Sequence, residues 1–365
     1  MSPVQPPSLP EIMRGVVLTG HGGLDRLSYR DDLPMPRLSG GDVLIRVSAA
    51  GVNNTDVNTR IGWYARDVVT ATGEAREGRD GDDGAWSGVP LEFPLIQGAD
   101  GCGSIVAVGE GVDGGRVGER VIVRPMMTAP ASSTLPYWTL GSECDGAFAE
   151  YVAVPSVEAY AVRCDWSDVE LASLPCAYST AENLLERAGI EAGETVLVTG
   201  ASGGVGSAAV QLAKRRGARV VAVASVVKVE AVSRLGADLV VPREDDPVAV
   251  LGAESVDAVV DVVGGPRWPR LLDVLRNGGR LATSGAIAGP IVELDLRTLY
   301  LKDLRLLGCT AQEPAVFANL VGYVERGEIE PLVAATYPLA EIARAQEEFM
   351  TKSFTGKLVL VVASS

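Results

Sequence analysis

Histidine is almost missing from this sequence: His21 is the single one in 365 residues. It lies in the N-terminal strand region, where a solvent-facing or turn role is expected. Cysteine is sparse too, with Cys102, Cys144, Cys164, Cys176 and Cys309. Their odd count and irregular spacing do not suggest a disulfide framework, and a reducing cytoplasmic setting is expected. No apolar run reaches the length of a membrane span. The opening M-S-P-V-Q-P-P-S-L-P lacks a basic region followed by a hydrophobic core, so it is expected to be a Pro-rich lead-in rather than a secretory signal. Positive charge is in deficit, with a formal net charge of −15. That balance argues against nucleic acid and anionic membranes as partners, because their phosphates would be repelled. There is no internal repeat. The composition that remains, 47% hydrophobic and 22% charged, fits a soluble globular chain long enough for two domains.

What is present is organised around one stretch, Glu194 to Arg219, E-T-V-L-V-T-G-A-S-G-G-V-G-S-A-A-V-Q-L-A-K-R-R-G-A-R. Residues 195–199 form a short β-branched apolar run, the pattern of a buried parallel strand. Glycines follow at 200, 203, 204 and 206. Then Val205, Ala209, Val210, Leu212 and Ala213 recur at helical spacing, and Gly217 ends the helix. A second strand, 218–224, completes a βαβ unit. In such a unit the glycines let the backbone approach a pyrophosphate, and the helix N-terminus offers it N–H groups and partial positive charge.

Around this unit, 14–19, 42–49, 103–109, 119–123 and 147–154 read as strands of a β-rich lobe. Residues 65–88 are rich in Gly and Asp and almost without periodicity. They are expected to loop out near a substrate cleft, with Trp86 as the residue to pin the loop. A second irregular loop is expected over 126–141, a short helix over 167–173 and a longer one over 175–188. Strands at 255–263, 280–284 and 304–309 alternate with helices near 227–235 and 268–275, the doubly wound α/β pattern. Two helices, 314–326 and 340–350, and a closing strand, 357–362, should return the chain to the first lobe.

The motif T-G-A-S-G-G-V-G-S-A-A-V-Q-L-A-K resembles the cofactor motif of the medium-chain dehydrogenase/reductase superfamily, in its quinone oxidoreductase and enoyl reductase branch. The flanks agree: A-A-G-V-N-N-T-D at 49–56, Q-G-A-D-G-C-G-S-I-V-A-V-G at 97–109 and D-G-A-F-A-E-Y-V at 145–152 upstream, with D-A-V-V-D-V-V-G-G at 257–265, N-G-G-R-L-A-T-S-G at 277–285 and T-G-K-L-V-L at 355–360 downstream. The resemblance implies a Rossmann cofactor domain over 178–310 and a GroES-like catalytic domain made of 1–177 and 311–365. It also implies a homodimer, formed by pairing of the strand near 304–308 with its twofold copy.

Zinc-dependent members of the superfamily place ligands where this chain has Asn53, Ala99 and Cys176. One thiolate cannot hold a catalytic zinc, so no metal is expected. A zinc-free relative typically adds hydride to an activated C=C bond, and a proton must then be supplied. The segment N-N-T-D-V-N-T-R-I-G-W-Y resembles that of 2-enoyl thioester reductases, which makes Tyr64 the candidate proton donor or, alternatively, a lining aromatic. Asn53 and Asn58 are candidates to hydrogen-bond substrate or the nicotinamide ribose. Asp56 and Arg60 are expected to be structural.

For the cofactor, the resemblance marks Thr180, Ser202, Gly203, Gly204, Val205, Gly206, Val263, Gly264, Gly285, Ala286 and Ile287. The second strand ends in Ala224 and Ser225, without the acid that binds a ribose diol. Lys228 stands where quinone oxidoreductases bind a 2′-phosphate, and Arg243 follows the next strand, so NADPH is expected. The reading is a zinc-independent NADPH-dependent reductase of an enone, enoyl thioester or quinone. A metal-free alcohol or aldehyde oxidoreductase, and a non-catalytic NADPH-binding member, remain open.

Overall fold

A computed structural model of the chain describes residues 9–74, 90–131, 133 and 136–362; Trp86 and most of the 65–88 segment fall outside them. The N-terminal part runs β1 (Ile12–Leu18), β2 (Leu27–Pro34), β3 (Asp42–Val52), α1 (Asn54–Ile61), β4 (Leu95–Ile96), β5 (Cys102–Val108), β6 (Arg120–Val123), β7 (Met126–Thr128), β8 (Tyr137–Thr139), β9 (Tyr151–Pro155), β10 (Ala159–Ala161) and α2 (Asp168–Leu171). Helix α3 (Pro175–Ala188) leads into β11 (Thr195–Val198), α4 (Gly204–Arg215), β12 (Arg219–Ala224), α5 (Val229–Arg234), β13 (Leu239–Pro242), α6 (Pro247–Leu251), β14 (Val256–Asp261), α7 (Pro269–Val274), β15 (Leu275–Thr283), α8 (Leu296–Leu301) and β16 (Arg305–Gly308). The chain closes with α9 (Pro314–Glu325), β17 (Val333–Pro338), α10 (Ile342–Thr351) and β18 (Lys357–Val361).

Strands β11 to β16 make one parallel sheet in the order β13-β12-β11-β14-β15-β16. The order reverses between β11 and β14, which opens a crevice at the strands' carboxyl ends. Residues alternate across this sheet, as a pleated strand requires. Val196, Val198, Val220, Ala222 and Val260 enter the core shared with α3 and α4, while Leu197, Val221, Val259 and Leu281 pack on Trp268, Leu271 and Leu272. Helices therefore cover both faces, the doubly wound fold expected from the sequence.

The second large sheet is mostly antiparallel, in the order β10-β6-β5-β3-β18-β17, with β9 also on β3. Strand β18 lies antiparallel to β3, Leu360 opposite Ala50, so the C-terminal tail closes the catalytic part as expected. This pairing brings the end of the chain beside α1, which follows β3 directly.

Two readings of the sequence need correction. Residues 126–141 are not wholly irregular: β7 and β8 pair with Met126 opposite Thr139 and Thr128 opposite Tyr137. Strands of three residues are too short to show a period. Strand β17 was also missed; its half-buried alternation lies along an edge parallel to β18. Helix α9 buries Phe317, Leu320, Val321 and Val324 in a core that joins α3 and the cofactor sheet to Ala49, Cys102 and Ile122 of the catalytic sheet. Five cysteines are present and all are unpaired. Among the described residues no helix is long and apolar enough to cross a membrane.

Candidate active site

The cofactor wall begins where β11 ends. Gly200 turns in the left-handed region at φ 58°, and Gly203 caps α4. Gly206 sits so close to the turn that a Cβ there would lie 2.1 Å from the Gly200 carbonyl oxygen. Gly203 is exposed, and the nearest atom to a Cβ built on it is 3.5 Å away, so this end of the helix is open to a ligand. Ser202, Gly204 and Val205 complete the turn, half-exposed. An open helix N-terminus over a tight glycine turn fits a dinucleotide pyrophosphate.

Across the crevice, buried Asp261 accepts hydrogen bonds from Thr199 Oγ1 at 2.6 Å, Val263 N at 3.1 Å and Gly264 N at 3.2 Å. Burial raises its pKa against those bonds. The carboxylate thus shapes the turn carrying Val263 and Gly264, a role the sequence reading overlooked. Gly285, Ala286 and Ile287 follow β15 and are half-exposed. The Ile287 carbonyl accepts Thr72 N at 3.1 Å, so the segment after α1 reaches over to the cofactor wall.

Ser225 follows β12 and precedes a 3₁₀ turn over 226–228. Arg243 N donates to the Ala224 carbonyl at 2.7 Å, which brings Arg243 beside that strand end. Its guanidinium is exposed and pairs with Glu244 at 2.9 Å. Lys228 is less available than expected: its Nζ donates to the carbonyls of Lys352 and Phe354, both at 2.6 Å. Burial first, then the charge of Arg243, lower its pKa.

The catalytic wall is built by α1 and what packs on it. Asn53, expected to meet substrate or ribose, has its amide committed within the protein. Its Nδ2 donates to Asp100 Oδ2 at 2.8 Å and its Oδ1 accepts Lys357 Nζ at 2.5 Å. Lys357 also meets Asp100 at 2.8 Å, with both side chains buried. The other Asp100 oxygen accepts Cys176 N at 2.6 Å. Asp56 accepts Asn53 N at 2.7 Å and Ala99 N at 3.3 Å, the loop-fixing role expected of it. Burial foremost, then the nearby Asp100 charge, push its pKa up to about 7. Arg60 is structural as well, donating to Gln346 Oε1 and the Gly22 carbonyl. His21 rests its ring on α1, Nδ1 2.9 Å from the Thr59 carbonyl.

Asn53, Ala99 and Cys176 therefore do not form a metal donor set. The amide oxygen holds an ammonium, Ala99 offers a methyl, and burial pushes the Cys176 thiol pKa up, which keeps it protonated. Among the described residues no three His, Cys, Asp or Glu side chains converge to hold a metal ion.

Tyr64 lies beyond the end of α1, its hydroxyl 3.3 Å from Thr55 Oγ1 and in hydrogen-bonding reach of Asn58. Burial raises the phenol well above its ordinary value of 10.0, so it keeps its proton at neutral pH. Asn58 is buried, and among the described residues its Oδ1 has no hydrogen-bond partner. Thr180 lies one turn after Cys176 on α3, close enough to hydrogen-bond its thiol; both are half-exposed. Two groups that sequence reasoning passed over, Asp100 and Lys357, lie inside the quoted Q-G-A-D-G and T-G-K-L-V-L motifs.

Comparison with known proteins gives concordant matches. The family model for the alcohol dehydrogenase GroES-like domain matches residues 39–163, and that for zinc-binding dehydrogenase matches 204–326. The chain is 31% identical over 364 residues to acryloyl-coenzyme A reductase of Metallosphaera sedula, covering 95% of this chain and 99% of that protein. A solved structure from Sinorhizobium meliloti 1021, provisionally named an alcohol dehydrogenase, shares 48% identity with a TM-score of 0.88 and 98% coverage of both chains. The 2-octenoyl-CoA carboxylase reductase CinF, solved with NADP and 2-octenoyl-CoA, shares 27% identity with a TM-score of 0.81, over 97% of this chain and 88% of that one.

Proposed function

The chain belongs to the medium-chain dehydrogenase/reductase superfamily, and from that membership we propose a zinc-independent, NADPH-dependent reductase of an activated C=C bond. The observation that carries this reading is the Asn53 amide, held on both sides by Lys357 and Asp100. A buried ammonium stands against one of the positions a zinc ligand would occupy, so stabilisation of developing charge falls to hydrogen-bond donors. Bound NADPH supplies the hydride. Tyr64 supplies a hydroxyl that is protonated at neutral pH, and Thr55 and Asn58 orient it. A phenol so held can bond to a carbonyl oxygen gaining charge, or give its proton to the α-carbon. The Thr72 N–H donates to the Ile287 carbonyl, so the segment after α1 is tied to the wall that would hold the cofactor.

The choice of NADPH is supported by Ser225, where an acid would repel a 2′-phosphate, and by the nearby cations Lys228 and Arg243. The substrate class is supported by the names of the acryloyl-CoA and octenoyl-CoA reductases. A homodimer is part of the proposal: β16 ends its sheet, and Leu296, Tyr300, Leu301 and Leu306 are exposed beside that edge. Light scattering at micromolar concentration should give twice the chain mass; the chain mass alone would count against it.

The test of the activity is NADPH oxidation measured against enoyl thioesters, enones, quinones and aldehydes, with and without a chelator. Fastest turnover on a conjugated C=C substrate, unchanged by the chelator, is expected. Chelator-sensitive reduction of aldehydes would sink the proposal in favour of an alcohol dehydrogenase. Binding of NADPH with no turnover on any of the four classes would favour a non-catalytic member.

A further inference from the structure

The loop after β13, residues 243–246, stands beside the end of β12, and two arginines from outside it hold it in place. Arg267 follows the glycine turn after β14 and caps successive carbonyls of the loop. Its Nη1 donates to the carbonyls of Arg243 and, at 3.3 Å, Asp245, and its Nη2 donates to that of Glu244 at 3.0 Å. Arg270, on α7, pairs with the Asp246 carboxylate at 2.5 Å. Arg267 is itself fixed by its neighbours. Gly264 and Gly265 turn in the left-handed region at φ 62° and 74°, and Trp268, buried under the cofactor sheet, anchors the residue that follows. One guanidinium thus joins the turn that lines the crevice to the loop beside the end of β12.

The brace bears on Arg243. Arg243 N donates to the Ala224 carbonyl at 2.7 Å and its own carbonyl accepts from Arg267, so the backbone is held on both sides of its Cα. Arg243 is set close enough to Lys228 that its charge, behind burial, lowers the Lys228 pKa. Two cations held together repel one another, and an anion placed between them relieves that cost. The partner that Arg243 has in the loop, Glu244, is exposed, and such a pair is weak enough for a phosphate to displace. The hydrogen bond from Arg243 foremost, and more weakly the charge of Arg267, lower the Glu244 pKa, so both cations offset the repulsion that this carboxylate offers an anion.

We propose that Arg267 is a positioning residue for cofactor selection: by capping the carbonyls of residues 243–245 it holds Arg243 beside Lys228, where the two cations take a 2′-phosphate. The proposal rests on the NADPH reading of the end of β12. Arg267 acts through Arg243, its donors being engaged by the loop. A dinucleotide without the 2′-phosphate draws nothing from this arrangement.

Fluorescence titration of NADPH and of NADH tests this on the parent chain, Arg267→Gln, Arg267→Lys, Arg243→Ala and the double variant Arg243→Ala with Arg267→Gln. Arg267→Gln should narrow the preference for NADPH by about three- to fivefold, through weaker NADPH binding alone. Arg267→Lys keeps the charge but lacks the planar fork that spans neighbouring carbonyls, so it should restore at most part of that loss. The double variant should match Arg243→Ala, because the brace has nothing to aim once the Arg243 side chain is gone. Losses that multiply in the double variant, or full recovery in Arg267→Lys, would make Arg267 a direct contributor of charge and overturn the proposal. Equal weakening of both dinucleotides by Arg267→Gln, with a lowered melting temperature, would leave it a structural arginine. An unchanged preference in Arg267→Gln, with the parent favouring NADPH, overturns the proposal alone. A parent chain that binds both dinucleotides equally overturns the NADPH reading as well.

Discussion

On the cofactor wall the decisive close contact is backbone against backbone; on the catalytic wall it is between buried side chains from distant parts of the chain. Gly206 and Gly200 touch within one turn of sequence, where a single added Cβ would collide with a carbonyl. Lys357 and Asp100 meet across 257 positions and bury both charges. The first arrangement is insensitive to pH and salt because nothing in it titrates. The second concentrates charge in a dry region, where each group depends on its partner. The cofactor wall therefore presents open N–H groups at the start of α4, while the catalytic wall holds its buried polar groups in one arrangement.

Tyr64 gives the largest expected effect. Tyr64→Phe removes the hydroxyl and keeps most of the ring, including its edge contact with Trp63. NADPH binding should survive, while turnover on an enoyl thioester should fall by about 10²–10⁴, the usual worth of a positioned general acid. Full activity in this variant would reduce Tyr64 to a lining residue, with water or another group delivering the proton. A small effect on a quinone would decide less, because reduced quinone oxygens take protons from solvent.

The buried pair itself comes next. Lys357→Met strands the Asp100 carboxylate in the core and should cost about 3–5 kcal/mol of unfolding free energy. The double change Lys357→Met with Asp100→Asn removes both charges and should recover a large part of that loss. Urea denaturation of the three proteins checks this. A loss below about 1 kcal/mol for the single variant would mean that the charges are solvated far better than their burial implies.

Asp56 sharpens the contrast through pH. Its folded pKa, about 7, lies above that of an unfolded aspartate. Between those values the folded protein holds a proton that the unfolded chain has released, so this group's contribution to stability falls as pH rises from about 4 to 7, by at most about 1.4 kcal/mol per unit. Above that window the penalty is constant. Asp56→Asn does not titrate, so its stability relative to the parent should improve from pH 4.5 to 7 and then level off. The opposite slope would mean that the bonds from Asn53 N and Ala99 N outweigh burial and favour the carboxylate.

The same contrast governs what could be read from the chain. The glycine turn, its flanking strand and helix, and the alternating elements after it are local patterns, and the parallel sheet followed from them. Residue types in the catalytic segment were legible too: Asp56 accepts backbone N–H groups and Arg60 ties α1 to Gln346 and the Gly22 carbonyl, the structural roles expected of both. Asn53 was misjudged because its partners, Asp100 and Lys357, are distant and no local pattern announces them. The second engagement of Lys228 was hidden for a similar reason, since its acceptors are carbonyls at 352 and 354, which no side-chain pattern can reveal. The short hairpin β7–β8 lacked the length for a period to emerge, and in edge strand β17 the apolar Ala334 and Pro338 on the exposed face hid the alternation.

The smallest expected effect is at the boundary between the two walls, in the choice between NADPH and NADH. With Ser225 in place of an acid, and Arg243 and Lys228 nearby, NADPH should bind the parent more tightly in fluorescence titrations. Lys228 ties down the strap of residues 352–354 that links α10 to β18, and its proposed second job is to favour a 2′-phosphate by its charge. Lys228→Ala should weaken both dinucleotides by loosening the strap and weaken NADPH further, narrowing the preference by about three- to tenfold. Arg243→Ala touches no strap carbonyl and should narrow the preference while leaving NADH binding unchanged. If Lys228→Ala weakens NADH and NADPH equally, Lys228 is a brace alone and discrimination rests on Arg243. Equal affinity of the parent for both dinucleotides, or a preference for NADH, would refute the NADPH assignment outright, whatever the variants do.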